Sequence, residues 1–503
     1  MGNLAFGQAP VNGVHVDEPG QITPGQIIKV GNNAWRSAKA EKLAFLIDAA
    51  EYYHRLHEAL RAATKTIWIV AWDFNADIYL RPEQSRQTLG ELLLSLVEEK
   101  PDLEIRILVW VMGPIYSGKS LSLFSENTWS AHPRIHLRFD SRHPLRGSHH
   151  QKLVCIDETI AFLGGIDLTA RRWDTSQHLA ADPLRVTPEG ESYEPVHDLQ
   201  AALTGDAAGM VGDLARRRWQ RATDEAVETG GKGDEIWPQQ LPIDLSGCEI
   251  AVALTEPGFH GRKSRREAIR LTIDALAAAR KHIYIETQYL ASFGVADILE
   301  RRLAEPDGPE IVVIVTRISH GYLEKIMMGN NRDRLIRRLK RADRNSRLRV
   351  MYPVVPAGEG EEQDVLIHSK LIVIDDCFVR LGSSNLNNRS EGLDTESDLA
   401  VEATNGPCRE AIANFRNRLI AEHVEASAEA VEETIANSGS LIRTIDALNT
   451  RLRGLRTLEV EKKGETTPVW GTSLVDPKKP YWPLQKIRTQ INTLTSRLLG
   501  VFM

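Results

Sequence analysis

Two copies of one short pattern carry the residues best suited to chemistry. The first reads HQKLVCID, from His150 to Asp157, and the second reads HSKLIVID, from His368 to Asp375. Each pairs a histidine with a lysine two residues later, and side chains two apart in a strand lie on the same face. The apolar residues that follow predict a buried β-strand in both copies. Each strand is therefore expected to present one histidine and one lysine together.

Two such pairs, brought together, would suit the cleavage of a phosphate diester. Lys152 and Lys370 would stabilise negative charge on the phosphate oxygens, and Asn385 and Ser383 would add hydrogen-bond donors. One histidine would attack phosphorus and form a covalent phosphohistidine, whereas the other would protonate the leaving alcohol and then deprotonate the incoming water or alcohol. This chemistry requires no metal and no cofactor, and the sequence contains no ligand spacing of the zinc type.

Four carboxylates accompany the two motifs. Asp157 and Asp375 fall on the opposite strand face from their histidines, at predicted turns, which favours an architectural role for both. Each histidine also needs its second ring nitrogen held, because that contact fixes the tautomer. The candidates for this role are Asp198, in VHDLQ, and Glu396, in DTESDLA, which lie downstream of the two motifs.

The motifs belong to a larger duplication of the chain. An alanine-rich helix, a lysine and an alternating apolar strand are predicted at 58–74, and the same succession returns at 274–290. A second apolar strand follows in each half, LEIRILVWV in the first and PEIVVIVTR in the second. Alternating helices and strands favour α/β units with a mostly parallel or mixed sheet, here as a pseudo-twofold pair. The Gly- and Pro-rich stretch 227–242 is the predicted linker.

Composition restricts the class of protein. The chain has 503 residues, of which 42% are hydrophobic and 26% charged, as in ordinary globular proteins. Its net charge of −6 argues against a dedicated nucleic-acid binder, which usually has a basic face. The four cysteines form no CxxC pair and are expected to be reduced thiols. Neither a secretory signal nor a transmembrane segment is predicted, which leaves a cytoplasmic or peripheral membrane protein, or one exported without a cleaved signal.

The region beyond residue 425 is predicted to be mostly helical. Its first part reads as a helix pair or a broken helix. Its last part, LQKIRTQINTLTSRLLGVF, places apolar residues on one helix face. That face is expected either to dock on the body of the protein or to bind a membrane surface or a partner.

On these residues the chain resembles the phospholipase D superfamily, whose signature is H-x-K-x4-D-x6-G-S-x-N in each of two halves. Both copies keep the spacing, although the first has GGID at 164–167 where the strict pattern has GSxN. The eukaryotic-type phospholipases D show a similar GGIDL departure from the strict pattern. The stretches IYIETQYL and GSSNLNNRSEGLDTESDLA also resemble that branch of the superfamily. The resemblance covers about residues 26–425, without the lipid-binding domains that often precede the eukaryotic enzymes.

The resemblance implies an α/β fold of two pseudo-twofold related α/β/α sandwich half-domains. The predicted division is an N-terminal arm at 1–25, half-domains at 26–230 and 240–425, and a mostly helical C-terminal extension at 426–503. By the same likeness His150 is the nucleophile and His368 the general acid and base. Support is crossed, so that Glu396 orients His150 and Asp198 orients His368.

The resemblance also implies a substrate pocket and a substrate class. The substrate-binding residues are expected to be Gly165, Asp167, Trp173, Gln288 and Ser383. The expected activity is hydrolysis of phosphatidylcholine-like lipids at a membrane surface to phosphatidic acid, or transfer of the phosphatidyl group to an alcohol. The protein is expected to act as a monomer, without nucleic acid. The alternatives are a nuclease or other phosphodiesterase of the same superfamily, a phospholipid synthase, and a non-catalytic scaffold.

Overall fold

The computed structural model describes residues 26–113, 129–259, 261–317, 322–469, 471–472 and 476–479, with the backbone alone at 322–328. The predicted N-terminal arm and the predicted amphipathic helix that begins near residue 484 lie outside the described residues.

The first half alternates strands and helices, as its hydrophobic pattern predicts. Its elements are β1 (Arg36–Ile47), α1 (Ala49–Ala62), β2 (Thr66–Ala71), α2 (Leu89–Glu99), β3 (Glu104–Trp110), β4 (Ile135–Asp140), β5 (Leu153–Ile156), β6 (Ile160–Gly164), β7 (Val196–His197), β8 (Leu199–Gly205) and α3 (Asp206–Thr223). Local sequence sets several of these boundaries. Helix α2, for example, begins at a capping box in which Thr88 and Glu91 satisfy each other's backbone N–H groups.

The second half repeats this order after residues 224–244, which form neither helix nor strand. Its elements are β9 (Leu245–Glu256), β10 (Arg265–Arg266), α4 (Glu267–Ala278), β11 (His282–Thr287), α5 (Phe293–Ala304), β12 (Glu310–Val315), α6 (Tyr322–Ala342), β13 (Leu348–Gly358), β14 (Glu361–Asp364), β15 (Leu366–Ile367), β16 (Lys370–Ile374), β17 (Phe378–Gly382), β18 (Glu396–Glu402) and α7 (Gly406–Val424). Helices α8 (Ala428–Ser438) and α9 (Leu441–Leu448) and strand β19 (Gly454–Thr457) follow.

One mixed sheet runs through both halves. In the first half β2, β3 and β4 are parallel, and β5, β6, β8 and β1 continue the sheet as antiparallel strands. The second half has the same order, with β11, β12 and β13 parallel and β16, β17, β18 and β9 antiparallel. Strands β1 and β9 pair antiparallel, with Arg36 opposite Val252 and Leu43 opposite Leu245. The pairing is symmetric about this junction, which confirms the predicted pseudo-twofold α/β fold.

Helices cover the two faces of the sheet. In the first half α1 and α2 bury apolar side chains against one face, and α4, α5 and α6 do so in the second half. Helices α3 and α7 bury theirs in a third cluster, which is shared by both halves. Because both faces of the inner parallel strands β2 and β12 are covered, these two strands read as nearly continuous apolar runs.

The two histidines lie just before their strands and not within them, contrary to the prediction. Strand β5 begins at Leu153 and β16 at Lys370. The preceding backbone pairs with the opposite half, since His150 N–H donates to the Thr395 carbonyl at 3.0 Å and His368 N–H to the His197 carbonyl at 2.8 Å. The sequence pattern gave no indication of this crossed pairing, because it depends on the packing of one half against the other.

The motif aspartates form tight turns between paired strands. Asp157 has a φ of 51° and Asp375 a φ of 49°, and the residue after each is also left-handed, as the two central residues of a type I′ turn require. The Asp157 carboxylate accepts backbone N–H groups of Thr64, Lys65 and Thr66 at 2.6–2.8 Å, and Asp375 has the equivalent contacts before β11. Both carboxylates therefore fasten the hairpin to the start of the neighbouring parallel strand.

Within its described residues, the C-terminal extension combines two helices with a strand. Helices α8 and α9 form the helix pair that the sequence predicts, and each begins at a serine whose hydroxyl accepts a backbone N–H. Strand β19 follows and pairs antiparallel with β13, with Met351 opposite Thr457. The described part of the extension thus contains a strand that the sequence did not predict, because this segment hydrogen-bonds along β13 and extends the sheet. Among the described helices, none has the length and apolar character needed to span a bilayer.

Replacing His282 with glutamine is expected to reduce the amount of unfolding free energy that the protein loses when the pH is lowered. Burial lowers the pKa of His282 to about 3, and the charges of Arg416 and Lys281 act in the same direction. A histidine with a lowered pKa in the folded state stabilises the fold above its unfolded pKa, and that contribution is lost as the pH falls. Between pH 7 and pH 4.5 we expect the variant to lose about 2 kcal/mol less unfolding free energy than the wild type. Urea unfolding at several pH values measures this, and identical pH profiles would contradict it.

Candidate active site

A cavity of about 450 Å³ lies where the carboxyl ends of parallel strands meet the two motifs. In open α/β sheets this is the usual position for a ligand. Trp72 follows β2, Trp110 ends β3 and Gln288 follows β11, while the residues before β5 and β16 contribute the histidines. The lining consists of Trp72, Trp110, Ser148, His150, Lys152, Asp167, Arg172, Gln288, Tyr289, His368, Asn385, Asn387, Arg389, Ser390, Asp394 and Glu396.

Each histidine is held by a carboxylate from the opposite half. His150 Nδ1 lies 2.8 Å from Glu396 Oε2, and His368 Nδ1 lies 2.6 Å from Asp198 Oδ2. Both carboxylates are buried, Glu396 as the first residue of β18 and Asp198 directly before the equivalent strand β8. Since Nδ1 is engaged in each ring, Nε2 is the nitrogen left for chemistry at both histidines.

The two carboxylates differ in their electrostatic surroundings. Burial raises the pKa of Glu396 to about 7, although hydroxyl groups of Ser383 and Ser390 donate to it at 2.6 Å and oppose the shift. Burial would also raise the pKa of Asp198, but the interaction with His368, the charge of Lys370 and the hydrogen bonds to His368 and the Leu199 backbone outweigh it and lower that pKa to about 2. The two histidines therefore have unequal partners, despite the symmetry of the fold.

Both catalytic candidates are held in the neutral form at neutral pH. Burial lowers the pKa of His150 well below its usual range, and the charges of Lys152 and Lys370 lower it further. Burial and Lys370 likewise lower the pKa of His368. A neutral imidazole has the free lone pair that a nucleophile or a general base needs.

The two motif lysines are not equivalent. Lys152 Nζ lies 3.2 Å from Asp167 Oδ2 and donates to the His150 carbonyl at 3.0 Å. Lys370 Nζ lies 3.1 Å from His368 Nδ1, and burial lowers its pKa to about 7. At the position equivalent to Asp167 the second half has the neutral Asn385. The pair of similar cationic groups predicted from the sequence is therefore one ion-paired lysine and one buried lysine with a weakened charge.

Asn385, Asp167 and Gln288 line the cavity as predicted residues of the pocket. The Asn385 side-chain oxygen has no hydrogen-bond partner within the described part of the chain. The Gln288 amide donates to the Tyr289 hydroxyl at 3.1 Å. Asp167 Oδ1 accepts the Trp72 backbone N–H at 3.0 Å, so its carboxylate joins the first motif to the end of β2.

Ser383 and Gly165 lie behind the cavity wall and not in the lining. The Ser383 hydroxyl is fully buried and donates to Glu396, so it positions the carboxylate that holds His150. A Cβ atom on Gly165 would lie 2.2 Å from Asp198 Oδ1. The prediction that these two residues contact substrate is therefore corrected, since each instead shapes the site of a supporting carboxylate.

Trp173 also lies elsewhere. It lines a separate small cavity with Tyr53, Ile78 and Tyr193, and its backbone carbonyl accepts the Tyr193 hydroxyl at 2.8 Å. The neighbouring Arg172 lines the main cavity in its place. Arg172 and Trp173 are neighbours in a loop. A loop has no hydrophobic periodicity, so the sequence could not indicate which of the two side chains faces the main cavity.

The sequence motifs did not indicate the aromatic part of the cavity. Trp72 and Trp110 stack with ring centroids 5.8 Å apart. Trp72 and His150 form an edge-to-face pair with ring centroids 6.3 Å apart. Their signal was present, because both tryptophans stand at the carboxyl end of a predicted parallel strand.

Substitution of Gly165 by alanine is expected to reduce turnover at least about 10-fold, because the new Cβ displaces the Asp198 carboxylate from His368. Gly209 in α3 is the matched control, since a Cβ there meets nothing within 4 Å. Steady-state kinetics on the two variants, with circular dichroism to verify folding, tests this. A folded Gly165→Ala variant with wild-type turnover would show that the Asp198 contact is unimportant.

Two sequence models of known families match the chain. A sequence model described as "Phospholipase D" matches residues 59–235, and one described as "Cardiolipin synthase, PLD-like domain" matches residues 272–420. Each matched segment contains one copy of the His-x-Lys motif. The chain belongs to the phospholipase D superfamily.

Individual relatives are distant. Phospholipase D A of Dictyostelium discoideum is 23% identical over 457 residues, which cover 75% of this chain and 35% of that protein. Phospholipase D alpha 4 of Arabidopsis thaliana is 22% identical, over 82% of this chain and 67% of its own. The chain thus spans about a third of the length of the Dictyostelium relative. The crystal structure of phosphatidylserine synthase from Haemophilus influenzae Rd KW20 shares the fold, with a TM-score of 0.51 and 14% identity, over 83% of this chain and 96% of that one.

Proposed function

We propose that the chain is a phospholipase D that hydrolyses phosphatidylcholine-like lipids at a membrane surface. The observation that carries the proposal is the crossed pair of histidine–carboxylate contacts on one cavity, at 2.8 and 2.6 Å. Two histidines with Nε2 available are what a two-step displacement at phosphorus needs.

In the first step the Nε2 lone pair of His150 attacks phosphorus. The bond between phosphorus and the headgroup oxygen breaks as the N–P bond forms, and protonated His368 gives its proton to the leaving alkoxide. Although burial and Lys370 keep His368 neutral in the free protein, the negative charge of a bound diester favours its protonation. Lys152, Lys370 and the Asn385 amide stabilise the charge on the remaining phosphate oxygens.

In the second step a water molecule attacks the phosphohistidine. His368 takes the proton of the water, the N–P bond breaks, and phosphatidic acid leaves with His150 restored to its starting state. A primary alcohol in place of water gives a phosphatidyl-alcohol by the same route. The assignment of His150 as nucleophile follows the resemblance to the superfamily, and the neutral form of its imidazole provides the lone pair that the attack requires.

The aromatic wall supports a choline-type headgroup. Trp72 and Trp110 stack beside His150, and Tyr289 lines the same cavity. Aromatic faces attract a quaternary ammonium group, which cannot donate a hydrogen bond and gains about 1–2 kcal/mol from each good cation–π contact. A phosphate at the histidines and a trimethylammonium group against the tryptophans would use both parts of the cavity.

The experiment is to incubate the purified protein with phosphatidylcholine vesicles, a chelator and a few per cent of a primary alcohol, and to analyse the lipids. Formation of the phosphatidyl-alcohol that requires both histidines supports transphosphatidylation through a covalent intermediate without a metal at the reacting centre. If the phosphatidyl group is transferred only when serine or another lipid is the acceptor, the alternative of a phospholipid synthase would be favoured. Cleavage of DNA or of a soluble diester, with no lipid product, would favour a nuclease or a general phosphodiesterase.

A further inference from the structure

A second cluster of titratable side chains lies in the interior, apart from the cavity that holds the catalytic histidines. It consists of Asp48, His178, His197 and Glu422, which we call the four-residue cluster. Asp48 precedes α1, His178 lies in the loop after β6, His197 ends β7 and Glu422 is in α7. The side chains of the first three are at most 1% exposed and that of Glu422 is 8% exposed.

The donor atoms of this cluster converge on one point. His197 Nδ1 lies 3.0 Å from both Asp48 Oδ1 and Glu422 Oε1, while His178 Nε2 lies 3.5 Å from Asp48 Oδ2 and 3.1 Å from Glu422 Oε1. A tetrahedral zinc ion with bonds of 2.0–2.1 Å keeps its ligand atoms about 3.3 Å apart. The observed separations lie on both sides of that value, so small side-chain movements would create the site.

Hydrogen bonding among the described residues accounts for one of these contacts, between His178 Nε2 and Glu422 Oε1 at 3.1 Å, and not for the others. Neither carboxylate oxygen of Asp48 has a hydrogen-bond partner within the described residues, and the same holds for His197 Nδ1. An ionised carboxylate buried without a donor costs several kcal/mol unless a cation or a proton compensates it. Asp48 also has a φ of 65° and a ψ of 156°, a conformation that only glycine adopts easily, so the backbone is strained to place this side chain.

The far nitrogen of each histidine is held by another buried carboxylate. His178 Nδ1 lies 2.9 Å from Asp174 Oδ2, and His197 Nε2 lies 3.0 Å from Glu286 Oε2. Asp174 is itself fixed by Arg185 at 3.0 Å. A carboxylate behind each histidine is the usual arrangement around a bound metal, because it fixes the tautomer that directs the lone pair at the ion.

We propose that the four-residue cluster is a structural zinc site. Two imidazole nitrogens and two carboxylate oxygens suit Zn²⁺, and a fully occupied set of four protein ligands is typical of a structural site and not of a catalytic one. The site goes beyond the proposed phospholipase activity and does not depend on it. Sequence alone gave no zinc-type spacing, because the ligands come from four separate segments.

The ion would fasten the two halves beside the reacting centre. Asp48, His178 and His197 belong to the first half, and Glu422 to the second. The His197 carbonyl accepts the His368 backbone N–H at 2.8 Å, and the Asp198 carbonyl accepts the Asp48 N–H at 2.9 Å. Zinc would thereby position the Asp198–His368 contact without touching the substrate.

The test measures metal directly in the full chain, purified without a metal-binding tag and dialysed against chelator. Inductively coupled plasma mass spectrometry is expected to give about one zinc per chain. Native mass spectrometry should show the mass of the chain with one zinc ion bound. His178→Ala and Asp48→Asn should lose it. His282→Gln is the matched control, since His282 is also buried but lies outside the cluster, and it should retain the metal.

A second readout covers variants that fail to fold. Protein refolded with Co²⁺ should show the intense visible bands of a four-coordinate site, without the thiolate charge-transfer band that the free cysteines would give. Zn²⁺ added during refolding should raise the melting temperature. A folded wild type with no bound metal and no response to Zn²⁺ would overturn the proposal and leave protonated histidines as the compensating charge. Thiolate bands from cobalt would also overturn it, by placing the metal elsewhere.

Discussion

Replacing His368 with asparagine is expected to slow phospholipid turnover by about 10²–10⁴-fold, because general acid and base assistance is lost from both chemical steps. The same variant should still release one equivalent of p-nitrophenol from a phosphatidyl-p-nitrophenol substrate, whose leaving group needs no proton. The burst should then stall, with the phosphatidyl group attached to His150. Stopped-flow absorbance measures the burst, and peptide mass spectrometry identifies the modified histidine.

The reciprocal variant separates the two roles. His150→Asn removes the proposed nucleophile and should give neither burst nor adduct with either substrate. A burst in His150→Asn with the adduct on His368 would reverse the assignment while preserving the two-histidine mechanism. His54→Asn, a partly exposed substitution on α1, is the control for unrelated effects of losing an imidazole.

The second large effect concerns the buried pair of Lys152 and Asp167. Replacing Lys152 with methionine leaves the Asp167 carboxylate buried beside an apolar side chain, and we expect unfolding free energy to fall by about 3–5 kcal/mol. Asp167→Asn should also lower the unfolding free energy, because it leaves the Lys152 ammonium buried without its carboxylate. The asparagine side-chain oxygen can still accept the Trp72 N–H. Activity should be lost in Lys152→Met in any folded fraction, because Lys152 lines the cavity.

The double variant shows whether the pair acts as a unit. With both charges removed, we expect a destabilisation smaller than the sum of the single changes by about 2 kcal/mol. Denaturant unfolding of the four proteins gives this coupling. Additive effects would show that the ion pair does not couple the two residues. The equivalent change Lys370→Met is the comparison, since the second half has Asn385 where the first has Asp167.

The sequence predicted the parts of the molecule that depend on local pattern. The spacing of apolar residues, every second residue in strands and every three to four in helices, predicted the parallel strands β2, β3, β11 and β12 and the helices between them. Each of these elements must bury one face or both. The doubled motif predicted two histidines on one site, and the crossed carboxylates Asp198 and Glu396 followed from the resemblance to the superfamily. The structure brings each of these carboxylates within hydrogen-bond distance of its histidine.

The remaining features depend on contacts between distant segments. Nothing in the local pattern indicated that Ser383 would turn toward Glu396, or that Trp173 would face away while Arg172 lines the cavity. The ion pair of Lys152 with Asp167 and the convergence of the four-residue cluster also arise only when loops from different elements pack together. Such loops have no periodicity from which the direction of a side chain can be read.

The crossed histidine–carboxylate contacts have a consequence for dissection of the chain. A fragment that ends at residue 230 contains His150 and Asp198, which do not contact each other as a dyad, while the remainder contains His368 and Glu396. Neither fragment holds a complete dyad, so catalysis would report association of the two pieces and not the folding of either. The chain is thus suited to use as a split enzyme, whose signal rises only when two tethered fragments meet.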